Sequence, residues 1–150
     1  HQLQRALQFG PLADAATHRA ARPRHSVARW IRHALPQSAE IAVRIVDTEE
    51  GRALNSSYRG KDYATNVLTF PYELSKTALA ADIIFCLPVI QKEAKEQNRS
   101  LKAHLAHLTV HGCLHAQAYD HENPKDAKKM EALEVKILRQ QGFTNPYLAQ

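Results

Sequence analysis

Two short β-branched runs, Ile41–Val46 (IAVRIV) and Asp82–Leu87 (DIIFCL), restrict the fold more than anything else in the chain. Each is the length of a strand, and the second is apolar enough to lie inside a sheet. Asn66–Phe70 is a further strand candidate, and the stretch between it and Asp82 reads as irregular. The remainder is patterned for helix. Ser26 caps a helix running to Leu35, with Pro36 as its stop, and Asp47 or Thr48 caps one that runs to about Ser57 and ends in the polar loop Arg59-Gly60-Lys61-Asp62. Pro88 at a first helical position opens VIQKEAKEQN, and Ser100 caps a helix through Leu101, Leu105 and Leu108. Asn123-Pro124 starts the last helix, where Met130, Leu133 and Ile137 recur at helical spacing and Gly142 fits the C′ position. The pattern predicts an α+β layer fold of about four strands packed with about five helices.

With 150 residues and 44% hydrophobic composition the chain has material for one core, so residues 1–150 read as a single domain without internal repeats. It shows neither a leader-like succession at its start nor an apolar run long enough to cross a bilayer. A cytoplasmic protein with no membrane partner is expected. Cys86 and Cys113, each within an apolar segment, exclude a disulfide framework and a cysteine-rich zinc ribbon, so any metal must be held by imidazole or carboxylate. The formal charge of +5 comes from the first quarter, where Arg5, Arg19, Arg22, Arg24, Arg29 and Arg32 stand against Asp14 alone. From Gln37 onward 14 basic and 14 acidic residues cancel. The basic segment 1–36 is therefore the candidate surface for a polyanion.

Five of the nine histidines lie between His104 and His121. His111 and His115 are one helical turn apart, with Cβ atoms about 5–6 Å from each other, and a turn through Gln117 to Asp120 would return His121 as a third ligand. Three neutral imidazoles suit one zinc-type ion with an open position for water, which is a catalytic arrangement and favours an anionic substrate. His104 and His107, on the same helix, read as packing residues or as partners of the ligands. Zinc peptidases with a long histidine helix place a glutamate directly after the first histidine. Here that position is Gly112, so peptide hydrolysis lacks its proton acceptor.

The segment His111-Gly112-Cys113-Leu114-His115-Ala116-Gln117-Ala118-Tyr119-Asp120-His121 resembles the histidine signature of the YbeY-type metal-dependent endoribonucleases. The runs Leu54–Asp62 and Thr65–Pro71 are similar to that family's second signature, and Asp82–Cys86, Met130–Glu134, Gly142-Phe143 and Pro146-Tyr147 to further parts of it. The likeness covers about residues 41–148. It implies a small α+β fold with a mixed sheet, one zinc per chain (or another divalent transition metal) on His111, His115 and His121, and cleavage of single-stranded RNA. It further implies a role in maturing the 3′ end of small-subunit ribosomal RNA and in ribosome quality control, with the small subunit and its associated factors as partners. Arg59 would be the family's functional arginine near the metal. Ala81 and Ala118 stand where glycine is usual, and Ala116 replaces a large apolar residue.

The resulting expectation is a metal-dependent endoribonuclease in which Arg59 and the metal centre at His111 are catalytic. Water or a substrate hydroxyl activated by the ion attacks a phosphodiester, and Arg59 steadies the charge that develops. Lys61 would contact the RNA backbone, and Asp120 would orient a ligand histidine. Two rivals remain at this point: a ribosome-associated RNA-binding protein whose metal only fastens the fold, and another metal-dependent hydrolase acting on a small phosphorylated or acyl substrate.

Overall fold

The structure, a computed structural model, describes residues 23–35, 38–75, 78–117 and 123–147. They form α1 (Pro23–Ala34), β1 (Ser38–Val46), α2 (Thr48–Arg59), β2 (Val67–Leu74), β3 (Ala78–Cys86), α3 (Leu87–Glu96), α4 (Leu101–Ala116) and α5 (Pro124–Gln140). The α+β expectation holds. Among the described residues the sheet has three strands rather than about four, in the order β1-β3-β2. It is mixed: β3 runs parallel to β1, with Val43 opposite Ile83, and antiparallel to β2, with Leu68 opposite Ile84.

Most of the stretch expected to be irregular is strand. β2 continues to Leu74 and β3 begins at Ala78. Pro71 disguised the first, because proline cannot donate to a ladder, and the alanines of Ala78-Leu79-Ala80-Ala81 disguised the second, because alanine prefers helix. The proline is accommodated where the pairing register shifts between Pro71 and Glu73, a bulge that relieves the missing donor. Ala81 is fully buried, and among the described non-glycine residues only Asn98 has a positive φ, so alanine at 81 carries no left-handed penalty.

Alternation divides the strands between two faces. Ile41, Val43 and Ile45 of β1 and Leu79, Ala81, Ile83 and Phe85 of β3 point into the main core with α1, α3, α4 and α5. Val46, Leu68, Ile84 and Cys86 face the other way, where Leu54 of α2 packs on them. α4 is the central helix, packed against β2, β3, α1, α3 and α5. From His104 to Ala116 every residue of α4 is buried except His107, His111 and His115, which are half-buried. Gly112 permits the close approach: a Cβ there would lie 3.3 Å from Thr69 Oγ1 and 3.4 Å from Ile83 Cγ2. Any side chain there, the peptidase glutamate included, would press on Thr69 and Ile83.

α5 closes on a Schellman turn, with Gly142 at φ 87°, its N–H donating to Arg139 O at 3.0 Å and Phe143 N–H to Leu138 O at 2.9 Å. Phe143 then meets Trp30 of α1 edge to face at 5.7 Å. No helix of the described residues is long and apolar enough to cross a membrane. Pro36, Arg5, Arg19 and Arg22 lie outside the described residues, while Arg29 and Arg32 are exposed on α1.

Candidate active site

A cleft of about 620 Å³ runs between the end of α2, the start of β2 and the α4 histidines, and it is lined by Tyr58, Arg59, Asn66, Thr69, His111 and His115 among others. Arg59 is the last residue of α2. The chain can turn there because Gly60 takes a left-handed conformation (φ 68°), donating its N–H to Ser56 O at 3.0 Å. Buried Asn55 holds the following loop from inside, its Nδ2 donating to Tyr63 O at 2.8 Å. Asp62 is clasped by Arg52 at 2.8 and 3.0 Å. Lys61, one residue past the turn, is exposed and does not line the cleft.

Asn66 does not offer its amide to the cleft. Its Nδ2 donates to Glu93 Oε1 at 3.0 Å, its Oδ1 accepts from Val67 N–H at 2.6 Å, and its carbonyl accepts from Cys86 N–H at 2.9 Å. The Thr65-Asn66 corner is therefore fixed to α3 and β3, which sets the start of β2 under α4.

Along α4 the imidazoles form a row: ring centroids are 6.4 Å apart from His104 to His107, 6.2 Å from His107 to His111 and 4.5 Å from His111 to His115. Their protons are assigned by neighbours of fixed polarity. Arg99 has only donors, and its Nη1 lies 3.2 Å from His104 Nδ1 and 3.5 Å from His107 Nδ1, so both nitrogens accept. Each ring then carries its proton on Nε2. His104 Nε2 donates to Glu93 Oε1 at 2.9 Å, and burial lowers the pKa of this ring against the opposing pull of Glu93, keeping it neutral. His107 Nε2 faces Tyr147 Oη at 3.2 Å and Glu134 Oε2 at 3.3 Å.

Glu134 is the acceptor at the other end. Only 1% exposed, it accepts from His111 Nδ1 at 2.7 Å and from the Tyr147 hydroxyl. Burial by itself would push its carboxyl up, but hydrogen bonds from His107, His111 and Tyr147 outweigh that and hold it at about 2. A carboxylate only accepts, so His111 carries a proton on Nδ1 and the lone pair of the neutral ring lies at Nε2. Burial, followed by the Glu134 carboxylate, raises the Tyr147 hydroxyl well above the usual phenol range.

His107, His111 and Glu134 offer ligand atoms within 4.8 Å of one another, close enough to hold a metal ion. His111 and His115 are a second, overlapping donor pair, and they line the cleft while His107 and Glu134 do not. Two imidazoles one turn apart, one of them with its lone pair set by a buried carboxylate, are the donor chemistry that a zinc-type ion takes. His121 and Asp120, expected as the third ligand and the orienting carboxylate, lie outside the described residues, as does Ala118. Sequence reasoning missed Glu134. A signal was present: Glu134 sits between Met130 and Ile137 at positions one turn apart, on the buried stripe of α5, where an unpaired carboxylate would be costly.

Comparison with known proteins follows the same direction. A family model described as Endoribonuclease YbeY matches residues 14–142, reaching upstream of the motifs that begin near Ile41. The chain is 61% identical over 148 residues to Endoribonuclease YbeY of Polaromonas naphthalenivorans, covering 98% of this chain and 97% of that protein. It is 58% identical over 147 residues to Endoribonuclease YbeY of Albidiferax ferrireducens, covering 98% and 99%. In fold it is similar to the solution structure of TM1509 from Thermotoga maritima, with a TM-score of 0.53 over 91% of each chain at 21% identity.

Proposed function

This chain belongs to the endoribonuclease YbeY family, and on that premise we propose that it hydrolyses phosphodiester bonds of single-stranded RNA in the cleft between Arg59 and the α4 histidines. His111, His115 and His121 would hold one zinc-type ion. The observation that carries the reading is that Arg59 and the His111–His115 pair, far apart in sequence, line one cleft. When bound, an ion of this kind polarises a phosphoryl oxygen and supplies an activated nucleophile near neutral pH.

The chain's own groups account for the rest. His111 presents Nε2 because Glu134 fixes its proton on Nδ1, and His115 lies beside it. Placing the ion instead among His107, His111 and Glu134 would require His107 to give up the Nδ1 lone pair that Arg99 engages, or to shed its Nε2 proton. We therefore assign the ion to the cleft side. Arg59, a planar and permanently charged donor, grips phosphate oxygens and stabilises the charge that builds on them as the bond breaks. Lys61 contacts the strand outside the cleft, and Asp120 supports a second ligand ring. The biological substrate on this reading is small-subunit ribosomal RNA at its 3′ end, processed in the cytoplasm in contact with the small subunit and its factors. Support comes from the family likeness, from the basic first quarter of the chain and from two free cysteines, both buried.

The test is metal analysis of untagged protein combined with an RNA cleavage assay, with and without chelator. Chelation should abolish cleavage. Arg59→Ala should keep the metal and lose most activity, whereas His111→Ala should lose both. Full cleavage by Arg59→Ala, or by thoroughly chelated protein, would sink the mechanism, and a metal-replete protein that binds RNA without cutting it would favour a non-catalytic role.

A further inference from the structure

We propose that Tyr58, backed by Phe70, is a stacking platform for one nucleobase beside the bond that is cut, and that this platform is what selects an unpaired strand. The proposal takes the identity of its ligand, RNA, from the reading above. Its geometry stands separately.

Tyr58 is 68% exposed on the last turn of α2, immediately before Arg59. Its ring packs at a tilt against Phe70 of β2, centroids 4.9 Å apart and planes inclined by 53°. Phe70 is itself half-buried against Val46, Leu68, Ile84 and Cys86, so the backing ring is anchored in the smaller core. Both rings line the cleft that holds Arg59, His111 and His115. Adjacent helix positions project about 100° apart, and here both still reach the same cleft, which wraps the end of α2. A guanidinium for phosphate and an aromatic face next to it match the two halves of a nucleotide.

Two of the other exposed tyrosines are otherwise engaged: the Tyr147 hydroxyl donates to Glu134, and the Tyr72 hydroxyl to Asp82 at 2.6 Å. Among the described residues, Tyr58 is the exposed tyrosine that lines the cleft. A base in a duplex is covered by its neighbours and cannot lie on such a ring, whereas a base in a single strand can. Stacking on a ring tolerates every base, so the platform would add affinity and strand selectivity with little sequence preference.

The experiment measures binding and cleavage separately. Binding of a short fluorescein-labelled single-stranded RNA is followed by anisotropy in chelator, and cleavage is followed with metal restored. Wild type, Tyr58→Ala, Tyr58→Phe, Tyr58→Trp and a control at exposed Tyr63 outside the cleft, Tyr63→Ala, are compared. Each is also given the same strand with an abasic ribose placed in turn at each position flanking the cut.

Tyr58→Ala should weaken binding and raise KM roughly 5- to 150-fold, with phenylalanine and tryptophan retaining most of the affinity and Tyr63→Ala unchanged. One abasic position should reduce wild type to the level of Tyr58→Ala and cost that variant nothing further. The platform is refuted if Tyr58→Ala matches wild type, or if its loss is the same on every abasic strand, which would show a structural effect. Base-dependent binding through Tyr58 without cleavage would support the platform and overturn the ribonuclease reading. Cleavage indifferent to Tyr58 would do the reverse.

Discussion

Replacing Glu134 by glutamine keeps the shape of a buried side chain and removes its charge. The carboxyl titrates at about 2 in the folded protein against an ordinary 4.5, and at about 1.4 kcal/mol per pH unit that difference is worth roughly 3 kcal/mol. The sign follows from the direction. A depressed folded pKa favours the native state wherever the carboxylate is ionised, so the contribution is complete above about pH 5 and is lost as the pH falls from 4.5 towards 2. The amide can still satisfy its neighbours, accepting from His111 Nδ1 and donating to the Tyr147 hydroxyl, which can accept in turn. The loss therefore reports mainly the charge, the Tyr147 hydroxyl proton alone having to find another acceptor.

Urea unfolding of metal-free protein at stepped pH measures it. At pH 7 Glu134→Gln should be less stable by about 3 kcal/mol. The gap should hold to about pH 5 and then shrink by at most about 1.4 kcal/mol per unit of further acidification. Equal stabilities at pH 7, or a gap that ignores pH, would refute the claim that donor-saturated Glu134 is stabilised as a carboxylate.

Three further outcomes are expected. Tyr147→Phe removes a hydroxyl that donates to a buried carboxylate and should destabilise by about 1.5–3 kcal/mol; in a double-mutant cycle its cost should fall on the Glu134→Gln background, where a neutral hydrogen bond replaces the charge-assisted one. Gly60→Ala places a side chain at φ 68° and should cost about 1 kcal/mol in thermal or urea unfolding, and lower RNA cleavage more than metal content because the end of α2 carries Arg59. Cys113, fully buried and with its thiol pushed up to about 12, should resist a thiol reagent in folded protein and react at the rate of unfolding in urea; prompt labelling under native conditions would contradict its burial.

Three helix starts were legible because capping is local, whereas α1 begins at Pro23, three residues before Ser26, which the sequence offers as its cap. Asp47, Ser100 and Asn123 each accept from the N–H three residues on, at 2.9, 3.0 and 2.9 Å, as their residue types suggest. The turn end of the β2–β3 hairpin was not, since Pro71 and the alanines of β3 are poor strand formers retained by pairing with β3 and β1. The histidine spacing likewise displayed the His111–His115 pair, a one-turn relation within a single helix. What it could not display was the partner. The sequence points to Asp120, beside the expected ligands, as an orienting carboxylate, yet the one that accepts from His111 comes from α5, and only packing of α5 on α4 brings it there.

That partnership also explains how α4 carries imidazoles on an otherwise buried helix. An isolated histidine can present either nitrogen, so a row of them has many proton arrangements of similar energy. Arg99 and Glu134 remove the choice, one because it can only donate and the other because it can only accept. Reversing His107 would set an N–H against Arg99 and a lone pair against the carboxylate, two repulsions in a site where screening is weak. Reversing His111 would face its lone pair to Glu134 and turn its proton towards the cleft. The nitrogen offered to the cleft is thus decided by Glu134, a side chain that does not line it. It follows that substitutions at Glu134 should act on the ring they hold even where the cleft wall is untouched.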